Sequence, residues 1–156
     1  MVLGLGIVLG LWWSQQREHA AERELFDKIE YAISKNPPDA RDVVSAFDLT
    51  PDCAVETCFF KEGSIGALTF EKGNIRPTKN GLILVLEKFS GACVRVTQIE
   101  SRFNTSQPTP GCASGGCWYR EAQYDWGIVG FGLDQKNASC ASSVVINSRP
   151  HQRPKD

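Results

Sequence analysis

The chain has 156 residues, 42% hydrophobic and 22% charged, which is enough apolar material for one ordinary core or two small similar ones and too much for a disordered chain. Its 17 basic and 18 acidic residues leave a net charge of −1, so it lacks the basic excess that nucleic-acid binding draws on. Six cysteines suit three disulfides in an oxidising compartment, and both histidines, His19 and His151, lie outside the cysteine-bearing stretch, which deprives a histidine-based dyad or metal site there of its residue.

Residues 1–13 (MVLGLGIVLGLWW) form an apolar run ending in two tryptophans, the residue type that favours a membrane interface. A spanning helix needs about 20 apolar residues, and the run is shorter. No Lys or Arg precedes it, as a signal peptide would require, so it reads as an uncleaved anchor, with a start upstream of the Met given. The competing reading is a buried core helix. Arg17, Arg23 and Lys28 follow the run, which by the positive-inside rule points the rest of the chain into the cytoplasm; the cysteines point outward, to the periplasmic face of a bacterial inner membrane. The cysteine argument is preferred.

Ser14 to Lys35 contains neither Gly nor Pro, and Leu25, Ile29 and Ile33 recur every fourth residue beside Phe26 and Ala32, which predicts an amphipathic helix continuous with the apolar run. Its stripe serves either packing on its own domain or a stalk that meets a partner. Asn36-Pro37-Pro38 ends it. Asp39 then caps a short helix over Ala40–Phe47, and strands are expected at Phe59–Glu62, Ile65–Phe70 and Leu82–Phe89, with turns at Glu62-Gly63, Lys72-Gly73-Asn74 and Lys79-Asn80-Gly81. The order repeats. Thr97 to Glu100 has capping-box spacing and opens a helix from about Gln98, although Cys93–Thr97 also alternates like a strand; strands follow at Trp118–Trp126, Ile128–Leu133 and Ala141–Asn147. The tail, residues 149–156, reads as disordered.

A motif marks each repeat. Cys53-x4-Cys58-Phe59-Phe60-Lys61-Glu62 returns as Cys112-x4-Cys117-Trp118-Tyr119-Arg120-Glu121, at an offset of 59 for both cysteines (112 − 53 and 117 − 58). The simplest pairing is two local disulfide clips, Cys53–Cys58 and Cys112–Cys117, which leaves Cys93 for Cys140. One zinc held by four thiolates is the rival, with a spacing slightly long for it. The aromatics after the clips, Phe59, Phe60, Trp118, Tyr119, Tyr124 and Trp126, are the candidate protein-binding residues, because one of each neighbouring pair must stand on the sheet face opposite the core. Alternation alone does not say which. No catalytic set, cofactor motif or metal cluster emerges from the residue pattern.

The doubled helix, strand, strand, strand order with a cysteine clip before the first strand resembles the tandem β-lactamase-inhibitory-protein-like (BLIP-like) fold. Thr97-Gln-Ile-Glu-Ser-Arg-Phe103, Trp118-Tyr119 and Ile128-Val-Gly-Phe-Gly-Leu-Asp134 are similar to the SmpA/OmlA (BamE) lipoproteins, without their lipobox cysteine. The expected architecture is α+β: a long N-terminal helix over residues 1–35, then a duplicated domain over 39–148 with an antiparallel sheet and repeats of about 39–90 and 93–148. What the resemblance implies is a non-enzymatic module that binds a protein partner across its sheet, as an envelope-complex component or an enzyme inhibitor. Residues 1–13 would meet the membrane. The alternative is a pilin-like subunit that assembles through its N-terminal helix.

Overall fold

The computed structural model describes residues 3–50, 52–54, 57–78, 81–111 and 117–148, with backbone alone for 3–14 and 52–54. Its elements in chain order are α1 (Leu3–Ile33), α2 (Ala40–Ala46), β1 (Asp52–Ala54), β2 (Thr57–Phe60), β3 (Gly63–Ile65), β4 (Leu68–Thr78), β5 (Gly81–Ser90), β6 (Val94–Arg95), α3 (Val96–Phe103), β7 (Thr109–Pro110), β8 (Trp118–Tyr124), β9 (Gly127–Leu133), β10 (Cys140–Ala141) and β11 (Ser143–Asn147). The architecture is α+β, with one long N-terminal helix and an antiparallel sheet.

The main sheet runs β1-β2-β4-β5-β11-β9-β8-β7, with β3 hairpinned onto β4, so its order mirrors itself about the β5–β11 pair. A second, two-stranded sheet joins β10 to β6. Cross-strand registers align Ile75, Leu84, Ile146, Val129 and Ala122 in one row and Phe60, Gly73, Leu86, Val144 and Phe131 in the next. Paired residues share a face, and these two rows are buried against α1, α2 and α3. The helices contribute Ala21, Leu25, Phe26, Ile29 and Ala32 from α1, Val43 and Ala46 from α2, and Val96, Ile99 and Phe103 from α3. The stripe read from the sequence on the first helix therefore packs on its own sheet.

Local chemistry explains most boundaries. Asp39 caps α2 as expected, its carboxylate accepting from the Asp42 N–H at 2.9 Å. Two expectations are corrected. The turn placed at Lys72-Gly73-Asn74 is the middle of β4, and the chain reverses instead at Gly66, where a φ of +57° is the left-handed region glycine favours, so the single strand expected over Ile65–Phe70 is broken there into the end of β3 and the start of β4. Gly73 sits there because a side chain would run into Leu86 and the Val85 carbonyl. The capping box at Thr97 does not form either. Arg95 occupies the cap position with no side-chain cap bond, because its backbone is extended by pairing with Cys140 and its N–H is taken by the Glu22 carboxylate at 2.7 Å.

That Glu22 carboxylate is buried and also accepts from the Arg95 guanidinium, which raises the arginine's pKa above its ordinary value. Arg102 of α3 reaches both Asp27 and Glu30 of α1 at 2.7 Å, and Lys28 donates to the Ala46 carbonyl at 3.0 Å and to Asp48 at 2.8 Å. Cys93 and Cys140 form a disulfide with Cα atoms 5.3 Å apart, tying the residue before β6 to the first residue of β10. Cys58 and Cys117 are disulfide-bonded, and Cys53 is the backbone partner of Cys58 in the β1–β2 ladder; Cys112 and residues 149–156 lie outside the described residues.

Because α1 supplies core residues, Leu25→Ala is expected to lower unfolding free energy by about 2–5 kcal/mol, read by denaturant titration. Deletion of residues 1–35 should abolish the cooperative transition, since Ala21, Leu25, Phe26, Ile29 and Ala32 go with it.

Candidate functional site

Side chains alternate across a strand, so every residue between the buried ones of β4, β5, β11 and β9 points to the opposite face. No described helix covers that face. Its central row is Phe59, Asn74, Val85, Val145, Gly130 and Glu121; the row on one side is Arg76, Ile83, Asn147, Ile128 and Gln123, and on the other Lys72, Glu87, Ser143, Gly132, Tyr119 and Thr109. The centre is apolar, with Ile83, Val85, Ile128, Val145 and Tyr119 partly exposed and Phe59 at 57% exposure. Charge lies around it: Lys72 and Glu87 form a pair at 3.7 Å, with Arg76 and Glu121 near opposite edges.

The irregular end of the β4–β5 hairpin sharpens the contrast between faces. Lys88 has a φ of +60°, and the pairing passes from Lys72↔Glu87 to Phe70↔Phe89 without a Glu71↔Lys88 bridge. Both strands change phase there, as the consecutive exposed residues Glu71 and Lys72 record. Leu68 and Phe70 thereby join the same core as Ile75 and Leu84, and Glu71 pairs with Lys88 at 2.6 Å outside it.

The six aromatics named from the sequence divide between the two faces. Phe59 stands on the open face, whereas Phe60 is a core residue at 6% exposure. In the second motif the order is reversed: Trp118 pairs with Leu133 on the helix side, and Tyr119 pairs with Gly132 on the open side. The Tyr119 ring leans over Gly130 and Gly132, and Gly111 closes on its other side. Trp118 packs against the core and carries Lys136 at 5.4 Å from its ring centroid. Tyr124 lies on the helix side, stacked on buried Trp126 with centroids 4.9 Å apart; burial, and then Glu30, raise its hydroxyl pKa. Of the six, only Phe59 and Tyr119 belong to the open face.

Ile83, Val85, Ile128 and Val145 are the contributors that the aromatic pattern missed. A signal for two of them was available: Leu82-Ile-Leu-Val-Leu86 is apolar at every position, and a strand apolar throughout is apolar on both faces. Arg120, on the helix side, meets Glu100 of α3 at 2.7 Å. Among the described residues no group of three or more His, Cys, Asp or Glu side chains is placed to hold a metal ion.

The two faces give a direct test. Phe60→Ala should cost about 3–5 kcal/mol of stability, whereas Phe59→Ser should stay within about 0.5 kcal/mol of the parent; thermal and urea unfolding of both variants measure it.

Compared with protein-family models, with curated proteins and with solved structures, the chain matches none.

Proposed function

We propose that this chain is a non-enzymatic, membrane-anchored, extracytoplasmic module that binds another protein across its open sheet face. The observation that carries the reading is the uncovered apolar centre formed by Phe59, Ile83, Val85, Ile128, Val145 and Tyr119, opposite a face that three helices cover. Contiguous exposed apolar surface with a polar rim is the form protein-binding sites take. The Cys93–Cys140 disulfide supports an oxidising compartment, the periplasm on this reading. Anchoring rests on the apolar run of residues 1–13, since no described helix is long and apolar enough to cross a membrane. The mirrored strand order, with α2 and α3 each ahead of one half, supports a tandem BLIP-like arrangement.

A pilin-like subunit is the second reading, favoured by one observation: α1 is a single 31-residue helix, about 46 Å long at 1.5 Å per residue, and its described buried residues begin at Ala21. Residues 3–14 of such a helix would mediate assembly.

Affinity capture from envelope extract with the full chain tests the first reading. Val145→Lys should abolish capture of the partner without changing the melting temperature, because the substitution places a charge in the apolar centre while the core row stays intact. Capture that survives both Val145→Lys and Phe59→Glu would sink the open-face reading; filaments lost on removal of residues 1–14, with no partner captured, would favour assembly.

A further inference from the structure

We propose that the Cys93–Cys140 disulfide is a site of covalent modification by thiol–disulfide exchange, and that it takes thiols beside a positive charge in preference to anionic ones. The site is separate from the open sheet face and from whatever binds there.

Position gives access. Both cysteines are half-buried and form part of the wall of an open cavity of about 320 Å³, together with Glu18, Phe89, Asp134 and Ser142. A small thiol therefore has a way to the bridge that requires no unfolding.

The backbone around the bridge is held by other bonds. Cys140 pairs with Arg95 and Ala141 with Val94 in the β6–β10 ladder. The Val96 N–H donates to the Ser139 carbonyl at 2.9 Å, and the Arg95 N–H donates to the buried Glu22 carboxylate at 2.7 Å. The two cysteines thus stay opposed when the bond between them opens, which makes exchange reversible within the folded protein.

The surroundings of the two sulfurs differ. The Ser139 hydroxyl lies 3.8 Å from the Cys140 sulfur, which carries no hydrogen in the disulfide, so the hydroxyl is the donor. An incoming thiolate accordingly bonds to the Cys93 sulfur, the Cys93–Cys140 bond breaks, and the electron pair leaves on Cys140 as a thiolate that Ser139 stabilises; a better-stabilised thiolate leaves faster. Return attack by Cys140 on Cys93 expels the added thiol and restores the bridge. A second thiol of the same class, attacking the mixed disulfide, leaves both cysteines reduced and departs as its own disulfide.

Charge selects the thiol. Glu18 and Asp134 are the charged residues lining this cavity, and neither has an ion-pair partner among the described residues. A neighbouring cavity shares Phe89, Asp134 and Ser142, and there the other carboxylates are compensated: Glu71 by Lys88 at 2.6 Å and Glu87 by Lys72 at 3.7 Å. Arg95 is taken by Glu22, and Lys136 lies over the Trp118 ring. The approach to the bridge is left negative, which draws in a cationic thiol and repels an anionic one.

Exchange on the full chain in detergent micelles tests the site, with rapid maleimide alkylation of freed thiols and mass spectrometry to locate the adduct. The thiols are cysteamine, a Lys-Cys-Lys peptide and mercaptoethanesulfonate, and each rate is divided by that thiol's rate with a small neutral disulfide to remove intrinsic reactivity. The cationic thiols should modify Cys93 and free Cys140 about tenfold faster than the sulfonate at low salt, and the gap should close at about 1 M salt. Reaction with cysteamine alone confines the site to free aminothiols, whereas reaction with the peptide as well admits the cysteine of a basic protein segment. Glu18→Gln combined with Asp134→Asn should remove the gap and leave the thermal melt unchanged. Equal normalised rates for all three thiols overturn the proposal. So does an adduct on Cys140 in place of Cys93, or a rate that stops rising with thiol concentration because the chain must first unfold.

Discussion

The pairing of β5 with β11 is the constraint on which the rest of the molecule depends. It joins the two halves of a mirrored sheet, and it must do so in the register that aligns Ile75, Leu84, Ile146, Val129 and Ala122. A slip of one residue would turn every apolar side chain of β11 to the other face. Full burial of a large aliphatic side chain contributes about 1.5–3 kcal/mol, so the aligned row strongly outweighs a slipped one. The register is pinned at one end by Ser148, which is buried and exchanges bonds with Leu82: the Leu82 N–H donates to its hydroxyl at 2.8 Å, and its own N–H donates to the Leu82 carbonyl at 2.9 Å. Gly81 and Gly127, at the ends of two hairpins, have φ values of +154° and +153° and lie against Ser148 and Asn147, where a side chain would collide with the backbone.

Once the sheet is in register it has one face for helices and one without. The helices are held by charge as well as by burial. Glu22, Asp27 and Glu30 along α1 are met by Arg95 of β6 and Arg102 of α3, so the first helix is tied to the third and to the strand before it by contacts between residues 72 to 75 apart in sequence. The buried Glu22 carboxylate draws both the backbone and the side chain of Arg95, and the Cys93–Cys140 bridge lies two residues from that contact. The described core contacts of α1 run from Ala21 to Ala32, the same stretch that carries these ion pairs.

The open face owes its character to the same alternation that builds the core. Leu82, Leu84 and Leu86 face inward, and the residues between them, Ile83 and Val85, are left outward. Nothing in the core requires those two to be apolar. The phase change at Lys88 then confines the apolar centre, because beyond it Thr69 and Ser90 replace hydrophobic residues on the exposed side and bond to each other at 2.6 Å.

How much was legible depended on how local the cause was. The long helix, the Asp39 cap, the strand over Leu82–Phe89 and the pairing of Cys93 with Cys140 could be read because spacing, capping chemistry and cysteine count are properties of short stretches or of totals. The α+β class followed from the same signals. The turn wrongly placed at Lys72-Gly73-Asn74 and the capping box that does not form have a common cause, since contacts with distant residues (Leu86 above Gly73, Glu22 and Cys140 on Arg95) overrode the local preference. The division of Phe59 from Phe60 and of Trp118 from Tyr119 was likewise beyond the sequence: two motifs in the same order present opposite members outward, and only pairing with Gly73 in one case and Leu133 in the other decides which. Sequence by itself determined where chain segments were apolar and where they turned, because those depend on neighbours along the chain. The tertiary structure alone decided which apolar residues met helices and which were left facing out, because a face is defined by register between strands that are far apart in sequence.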